Sequence, residues 1–190
     1  MKRRITSFIA IILSICLLLC SGALADAAEL EWGISYDQVI KILGKPYAEK
    51  SDIPGNVHLQ YTNYPISEFS STLYLIFRDD YLFAKVYRID DNGMKSVFLY
   101  FKNALEEKYG SALDNISDVA DCFILIGYDL PEEKITEAVK QQLLEYKTWK
   151  PDDDTNIVLL SMSPDTNSVL LIYFQPKEKV PEKKHNTDGL

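Results

Sequence analysis

The sequence from Glu31 to Pro46, EWGISYDQVIKILGKP, specifies both ends of one short helix and therefore constrains the fold strongly. Ser35 is a suitable N-cap residue, and Gln38 three positions later completes a capping box. Gly44 favours the left-handed conformation that ends a helix, and Pro46 prevents the helix from continuing. A helix this short is stable only when its apolar face packs on another element. The sequence thus predicts a helix that lies on a larger framework.

That framework is predicted to be an antiparallel sheet, because several short segments are rich in branched and aromatic residues. The tripeptide Arg78–Asp80 forms a tight connection between two of the segments, and the turn-forming Ser163–Asn167 connects the last two. The predicted strands are Val57–Tyr61, Thr72–Phe77, Tyr81–Ile89, Asp121–Tyr128, Asn156–Met162 and Ser168–Phe174.

Two further helices are predicted from apolar residues that recur at helical spacing. The first, Met94–Tyr109, is followed by Gly110, just as the opening helix is followed by Gly44. The second covers Leu130–Lys147 and has Pro131 in its first turn. Its predicted apolar face consists of Ile135, Ala138, Val139, Leu143 and Tyr146.

The order of these elements predicts an α+β fold made of two related units, each with a helix packed on an antiparallel sheet. Residues 26–90 would form the first unit and residues 91–175 the second, which contains one extra helix. Each unit starts with a helix closed by glycine and ends with a hairpin, so we interpret the chain as a tandem duplication.

The N-terminal segment, residues 1–25, has the three parts of a secretory signal peptide: a basic start, an apolar core and an A-x-A site at Ala23–Ala25. A membrane anchor is the alternative, since the apolar stretch nearly reaches the ~20 residues that span a bilayer. Cleavage would leave 165 residues, secreted or at the cell surface, without stable membrane insertion. The polar, proline-containing end, residues 176–190, is predicted to be a disordered tail.

Charge and cysteine content exclude several classes of protein. Removal of residues 1–25 takes away three positive charges and no negative one, which changes the net charge from −8 to −11. An acidic protein is repelled by nucleic acid, so no nucleic-acid partner is expected. Cys122 would be the one remaining cysteine, so no internal disulfide can form, and its apolar surroundings predict a small buried side chain.

No recognised catalytic or metal-binding motif is present in the sequence, and we expect a protein that is not an enzyme and needs no cofactor or metal. His58 and His185 have no partner at metal-ligand spacing. Asp152–Asn156 resembles a calcium loop only in its alternating oxygen ligands, because it lacks the required glycine and glutamate. A hydrolase that uses two carboxylates is the alternative. The candidate pairs are Asp79–Asp80, Asp90–Asp91, Glu106–Glu107, Glu132–Glu133 and Asp152–Asp154.

Aromatic residues on or beside the predicted strands are the best candidates for a binding surface. Tyrosine and tryptophan supply a large contact area at low entropic cost. We look for a binding surface on the face of the sheet opposite the opening helix, where the alternative for each of these side chains is a place in the core. The candidates are Tyr61, Tyr74, Tyr87, Trp149 and Tyr173.

The opening stretch resembles the G-x-S-x-x-x-V-x-x-x-L-G-x-P start of small exported modules such as the BamE-type outer-membrane assembly lipoproteins. Those modules share a tandem helix-plus-sheet architecture with beta-lactamase inhibitory protein. The matching residues are Gly33, Ser35, Val39, Leu43, Gly44 and Pro46. The resemblance implies a non-catalytic module that binds another protein, although this chain has neither a lipidation cysteine nor an internal disulfide.

These observations together predict a secreted or cell-surface protein that binds an extracellular or envelope protein, or a ligand, as an inhibitor or accessory factor. An extracellular hydrolase with a carboxylate pair is the alternative function. A structural domain without a discrete site is a third interpretation. The sequence does not indicate the oligomeric state.

Overall fold

The computed structural model describes residues 30–50, 56–125, 131–152, 154–162 and 167–182. Contacts divide the chain into two compact parts, Met1–Leu30 and Glu31–Leu190. The elements of the second part are α1 (Tyr36–Leu43), β1 (Ala48–Lys50), β2 (Asn56–Ile66), β3 (Phe69–Arg78), β4 (Tyr81–Asp90), α2 (Met94–Tyr109), α3 (Ile116–Leu125), α4 (Glu132–Lys140), β5 (Leu144–Trp149), β6 (Asn156–Met162), β7 (Ser168–Phe174) and a 3₁₀ helix (Lys177–Lys179).

Seven antiparallel strands form one continuous sheet in the order β1-β2-β3-β4-β7-β6-β5. Strands β4 and β7 pair at the centre, while β1 and β5 are the two edges. With the four described α-helices, this arrangement confirms the predicted α+β class. The strands assigned by sequence to two units therefore belong to a single sheet.

Helix α1 has the ends that its sequence predicts. The backbone N–H of Gln38 donates to Ser35 Oγ at 3.3 Å, and the backbone N–H of Ser35 donates to Gln38 Oε1 at 3.0 Å. Gly44 has φ +82°, and its N–H donates to the Ile40 carbonyl oxygen. The apolar face packs inward, because Val39 is fully buried. The capping box and the glycine terminus are both confirmed.

The connection between β3 and β4 is also confirmed. Arg78 pairs with Tyr81, so only Asp79 and Asp80 lie between the strands. Their φ angles of +49° and +65° are both left-handed. This is the geometry of a two-residue hairpin turn whose twist matches that of the strands, and Asp tolerates it better than most residues.

Helices cover both faces of the sheet. The register places alternate residues on an α2 face, which packs against α1 and α2, and an α3 face, which packs against α3 and α4. Directly opposed residues on the α2 face are Leu73, Tyr87, Leu171 and Leu159. Those on the α3 face are Tyr74, Val86, Ile172 and Val158. Residues 82–87 of β4 are consequently all buried.

The strand predicted at Asp121–Tyr128 is wrong, because its described part belongs to helix α3, Ile116–Leu125. The segment is apolar almost throughout, and a short apolar run does not distinguish a buried strand from a buried helix. Asn115 Oδ1 accepts the Ser117 N–H at 3.2 Å, which starts the helix. The structure thus has two helices between α2 and β5, where the sequence predicts one.

The helix predicted at Leu130–Lys147 is wrong in its second half. Helix α4 ends at Lys140, and the chain enters β5 at Leu144. Gln142 has φ +58°, which reverses the chain direction where the sequence has no glycine to signal it. Leu143 and Tyr146 therefore do not share a helical face with Ile135.

Part of the C-terminal segment predicted as a disordered tail is described, and it includes the 3₁₀ helix Lys177–Lys179. The Gln175 N–H donates to the Phe83 carbonyl oxygen at 3.0 Å, and Val180 is buried in the core on the α3 face. The predictions for residues 1–25, 163–166 and 183–190 lie outside the described residues. Among the helices that the structure describes, none combines the length and apolar character needed to span a bilayer.

Candidate functional site

The five aromatic residues predicted as a binding surface do not share one face. The register places Tyr61, Tyr87, Trp149 and Tyr173 on the α2 face, which α1 itself covers, and Tyr74 on the α3 face. The expectation that they lie opposite the opening helix is therefore wrong for four of the five. A tyrosine or tryptophan is amphipathic, so the sequence alone does not decide which face it joins.

Three of these side chains stabilise the fold. The Tyr61 hydroxyl donates to the Gly44 carbonyl oxygen at 3.0 Å, and burial raises the pKa of Tyr61 to about 12. Tyr87 is 1% exposed and contacts the ring of Tyr64. Trp149 is 2% exposed. Tyr74 and Tyr173 are half-buried on opposite faces, so they do not form a common surface either.

Several of the predicted carboxylate pairs have structural roles. Asp80 Oδ1 accepts the Tyr36 N–H at 2.8 Å, and Asp91 Oδ1 accepts the Gly93 N–H. Asp90 pairs with Arg88. The carboxylates with raised pKa values are Asp118 and Asp121 on α3, in both cases chiefly because burial disfavours the charged form.

Metal and thiol chemistry has little support in the described part of the chain. No group of three or more His, Cys, Asp or Glu side chains there is placed to hold a metal ion. In the segment considered for calcium, Asp152 Oδ1 accepts the Asp154 N–H at 2.8 Å and Asp154 pairs with Lys179. Cys122 is fully buried, as predicted, and burial raises the pKa of its thiol.

A cleft of about 550 Å³ follows the outer edge of β5, and we call it the β5 groove. The edge strand supplies one wall, the end of α4 supplies another, and the segment after α2 closes one end. Lining residues include Asp114, Val139, Gln142, Leu144, Tyr146 and Lys147. Sequence reasoning missed this site because it placed β5 inside a helix.

The backbone of β5 is open along part of this groove. At one end, Leu113 pairs with Thr148 through two hydrogen bonds, of 2.8 and 3.0 Å. Alternate residues of a strand direct their N–H and C=O groups to the same side. The peptide groups of Tyr146 and Leu144 therefore point to the same outer edge as those of Thr148. Beyond Leu113, the chain turns away into α3, and no backbone group of the described residues bonds to the outer edge at Leu144 or Tyr146.

The side chains around the open edge combine apolar and charged groups. Lys147 Nζ lies 2.6 Å from Asp114 Oδ1, so this lysine is already engaged in an ion pair. Glu145 is exposed. Burial, followed by the Asp114 charge, raises the pKa of Tyr146. Leu113 and Leu143 flank the edge with 51% and 41% exposure. The groove offers backbone pairing, apolar contact and one available negative charge.

No protein-family model matches the chain, and no match was found among curated proteins or solved structures. The resemblance of the opening stretch to BamE-type modules consequently remains a prediction. A function for this chain is therefore inferred from its own geometry.

Proposed function

We propose that this protein is an exported, non-enzymatic module that binds an extracellular or envelope protein through the β5 groove, as an inhibitor or accessory factor. The observation that carries the proposal is the edge of β5 between two exposed leucines, Leu113 and Leu143, which no other described strand covers. Natural proteins usually protect sheet edges, so an uncovered edge beside a groove is a typical site for a partner. The proposed export depends on the signal-like sequence of residues 1–25.

We also propose that the fold arose by duplication of a helix-plus-sheet unit. Support comes from the two three-stranded meanders, β2-β3-β4 and β5-β6-β7, whose last strands pair with each other. Further support comes from Gly44 and Gly110, which end α1 and α2 with φ values of +82° and +86° and the same ψ of −172°. This organisation agrees with the resemblance to BamE-type modules and to beta-lactamase inhibitory protein.

A hydrolase remains the alternative because a second cleft, of about 380 Å³, is lined by Glu132, Glu133 and Glu137 of α4. These three glutamates are exposed on one helix. A general acid that acts near neutral pH needs burial or a neighbouring charge to raise its pKa. The exposed position of the glutamates favours a solvated helix face, and we therefore rank the binding module first.

The proposed function is tested by partner capture followed by reconstitution. The purified chain is used to capture proteins from culture supernatant and envelope extract, and each captured protein is then purified and its affinity measured by calorimetry. Replacement of both flanking leucines, Leu113→Ser with Leu143→Ser, should weaken the affinity at least about tenfold, because exposed apolar anchors dominate such contacts.

Tyr47→Ser is the matched control, since Tyr47 is 76% exposed beside the opposite edge of the sheet. Its affinity should equal that of the unmodified chain. Equal affinity of the leucine double variant would refute the β5 groove as the binding site. Turnover of a cell-wall or extracellular polymer that is abolished by Glu133→Gln with Glu137→Gln would favour the hydrolase.

A further inference from the structure

The β5 edge has room for a short added strand. Leu113 covers only the Thr148 end, because Asn115 then donates its N–H to Thr148 Oγ1 at 3.3 Å and the chain turns into α3. The outward peptide groups of Leu144 and Tyr146 provide two donors and two acceptors in line with this bridge. An extended segment that continues the bridge would satisfy them.

The side chains on the two sides of this edge define which segment fits. Leu144 and Tyr146 belong to the α3 face, where Val139 of α4 also lines the groove. Residues of an added strand that stand opposite them would therefore meet apolar surface. The intervening residue would stand opposite Glu145, on the other face of the sheet.

Glu145 favours a positive charge at that intervening position. Its cross-strand neighbour on β6 is the neutral Ser161, and the nearby Lys147 is already paired with Asp114. Oppositely charged residues directly across two antiparallel strands attract each other, and like charges repel. The net charge of −8 for the whole chain also attracts basic segments.

A second copy of this chain fits the same edge poorly. Antiparallel self-pairing centred on Glu145 would place this residue directly opposite its own copy, which is a like-charge contact. Centring the pair on Tyr146 would place Leu144 of the copy opposite Thr148, whose backbone already pairs with Leu113. Centring it on Leu144 would require Gln142, at φ +58°, to act as a strand residue.

We propose that β5 binds an extended segment of a partner protein by strand addition, with a lysine or arginine opposite Glu145 and apolar residues opposite Leu144 and Tyr146. This inference rests on the proposed function and specifies its recognition chemistry. Backbone pairing supplies a sequence-independent part of the affinity, and the alternating side chains supply the selectivity.

The test uses a labelled nine-residue peptide with a central Val-Lys-Val core, and a matched peptide with a central Val-Glu-Val core. Binding to the purified full chain is measured by fluorescence polarisation at low salt. The lysine peptide should bind about fivefold more tightly than the glutamate peptide. In Glu145→Lys the preference should reverse, whereas Glu107→Lys, an exposed control on α2, should retain it.

Amide hydrogen exchange then locates the contact and does not depend on any variant. The lysine peptide should slow exchange at Leu144 and Tyr146, because their N–H groups become bonded to the added strand. A peptide with N-methylated Val residues, which cannot donate, should bind at least about tenfold more weakly. Equal binding of both core peptides, or binding without slower exchange at these two amides, would overturn the proposal.

The remaining outcomes separate this inference from the proposed function. Concentration-dependent dimers with slowed exchange at the same amides would show that a second copy occupies the edge, which overturns the inference. A captured partner whose affinity survives Glu145→Lys and which protects other amides would also overturn it, while the general binding function would stand. If no partner is captured and no peptide binds, both proposals fail.

Discussion

The indole Nε1 of Trp149 donates a hydrogen bond to the carbonyl oxygen of Gly110 at 3.1 Å. This contact joins the end of β5 to the end of α2, which are 39 residues apart in the chain. Gly110 opens the segment that leads to Leu113, the residue that pairs with Thr148. Trp149 thus anchors the start of the segment that covers the Thr148 end of the β5 edge, and we expect its role to be structural.

Replacement of Trp149 should therefore reduce stability. Trp149→Ala should lower the free energy of unfolding by about 3–5 kcal/mol, because it empties a buried site. Trp149→Phe should cost about 0.5–1.5 kcal/mol, since it removes the hydrogen bond to the carbonyl oxygen of the exposed Gly110. Urea denaturation followed by circular dichroism measures both. Tyr47→Ala, at an exposed position, should change stability by less than about 0.5 kcal/mol; equal effects of Tyr47→Ala and Trp149→Ala would contradict this role.

Arg78 should stabilise the fold and hold the C-terminal tail in place. Its Nε donates to Asn56 Oδ1 at 3.2 Å, and its two terminal nitrogens donate to the carbonyl oxygens of Leu125 and Pro181. Its guanidinium also lies 4.9 Å from the ring centre of Phe83. Arg78→Leu leaves the buried Asn56 Oδ1 without this donor and should lower the free energy of unfolding by about 1–3 kcal/mol.

The same variant should be cleaved faster by trypsin after Lys177 and Lys179, since the tail loses an anchor. Arg88→Leu is the control, because Arg88 forms an exposed ion pair with Asp90 that is worth about 0–1 kcal/mol. Unchanged tail cleavage in Arg78→Leu would argue that Val180 alone holds the tail.

Asp118 should introduce a pH dependence of stability. Burial raises its pKa above the usual 3.8, so the folded state binds a proton more tightly than the unfolded state. The contribution of Asp118 to the free energy of unfolding is greatest below the pKa that it has in the unfolded state. This contribution is lost as the pH rises through the pKa that it has in the folded state. The stability of Asp118→Asn relative to the unmodified chain should therefore increase as the pH rises above about 4.

Urea denaturation at several pH values measures this difference. Asp121→Asn should show the same sign, because burial is also the main cause of the raised pKa of Asp121. A difference that stays constant with pH, or that falls as pH rises, would show that the folded chain does not desolvate these carboxylates.

The capping box of α1 should contribute measurably to stability. Ser35→Ala removes the oxygen that accepts the Gln38 N–H and should cost about 1 kcal/mol. Ser35→Asn retains an acceptor and should cost much less. Thermal unfolding by calorimetry compares the two variants. An equal loss in both would indicate that the Ser35 hydroxyl acts in some other way.

Much of the fold was predictable because its signals are local. The capping box at Ser35, the glycine ends of α1 and α2 and the two-residue turn at Asp79–Asp80 each act over a few neighbouring residues. The burial of Cys122 also followed from its apolar neighbours. Where both helix and strand could bury the same side chains, as in α3, local pattern did not decide between them.

The candidate site was not predictable for a related reason. Gln142 adopts a left-handed conformation, with φ +58°. Glutamine rarely adopts this conformation, so the sequence does not predict the turn that precedes β5. A strand lies at the edge of a sheet when only one of its two sides is paired with another strand. This depends on how all the strands of the sheet pair, so the local sequence of β5 does not show it.

Local patterns in the sequence were enough to predict the α+β class, the ends of α1 and α2, the tight β3–β4 hairpin and the acidic character of the chain. The three-dimensional packing was needed to show that α3 is a helix, that Tyr61, Tyr87 and Trp149 are buried, and that β5 is an edge strand of the described sheet. The difference lies in how far apart in the sequence the interacting residues are. Caps and turns act through hydrogen bonds between near neighbours, whereas burial and strand pairing depend on residues that are distant in the chain.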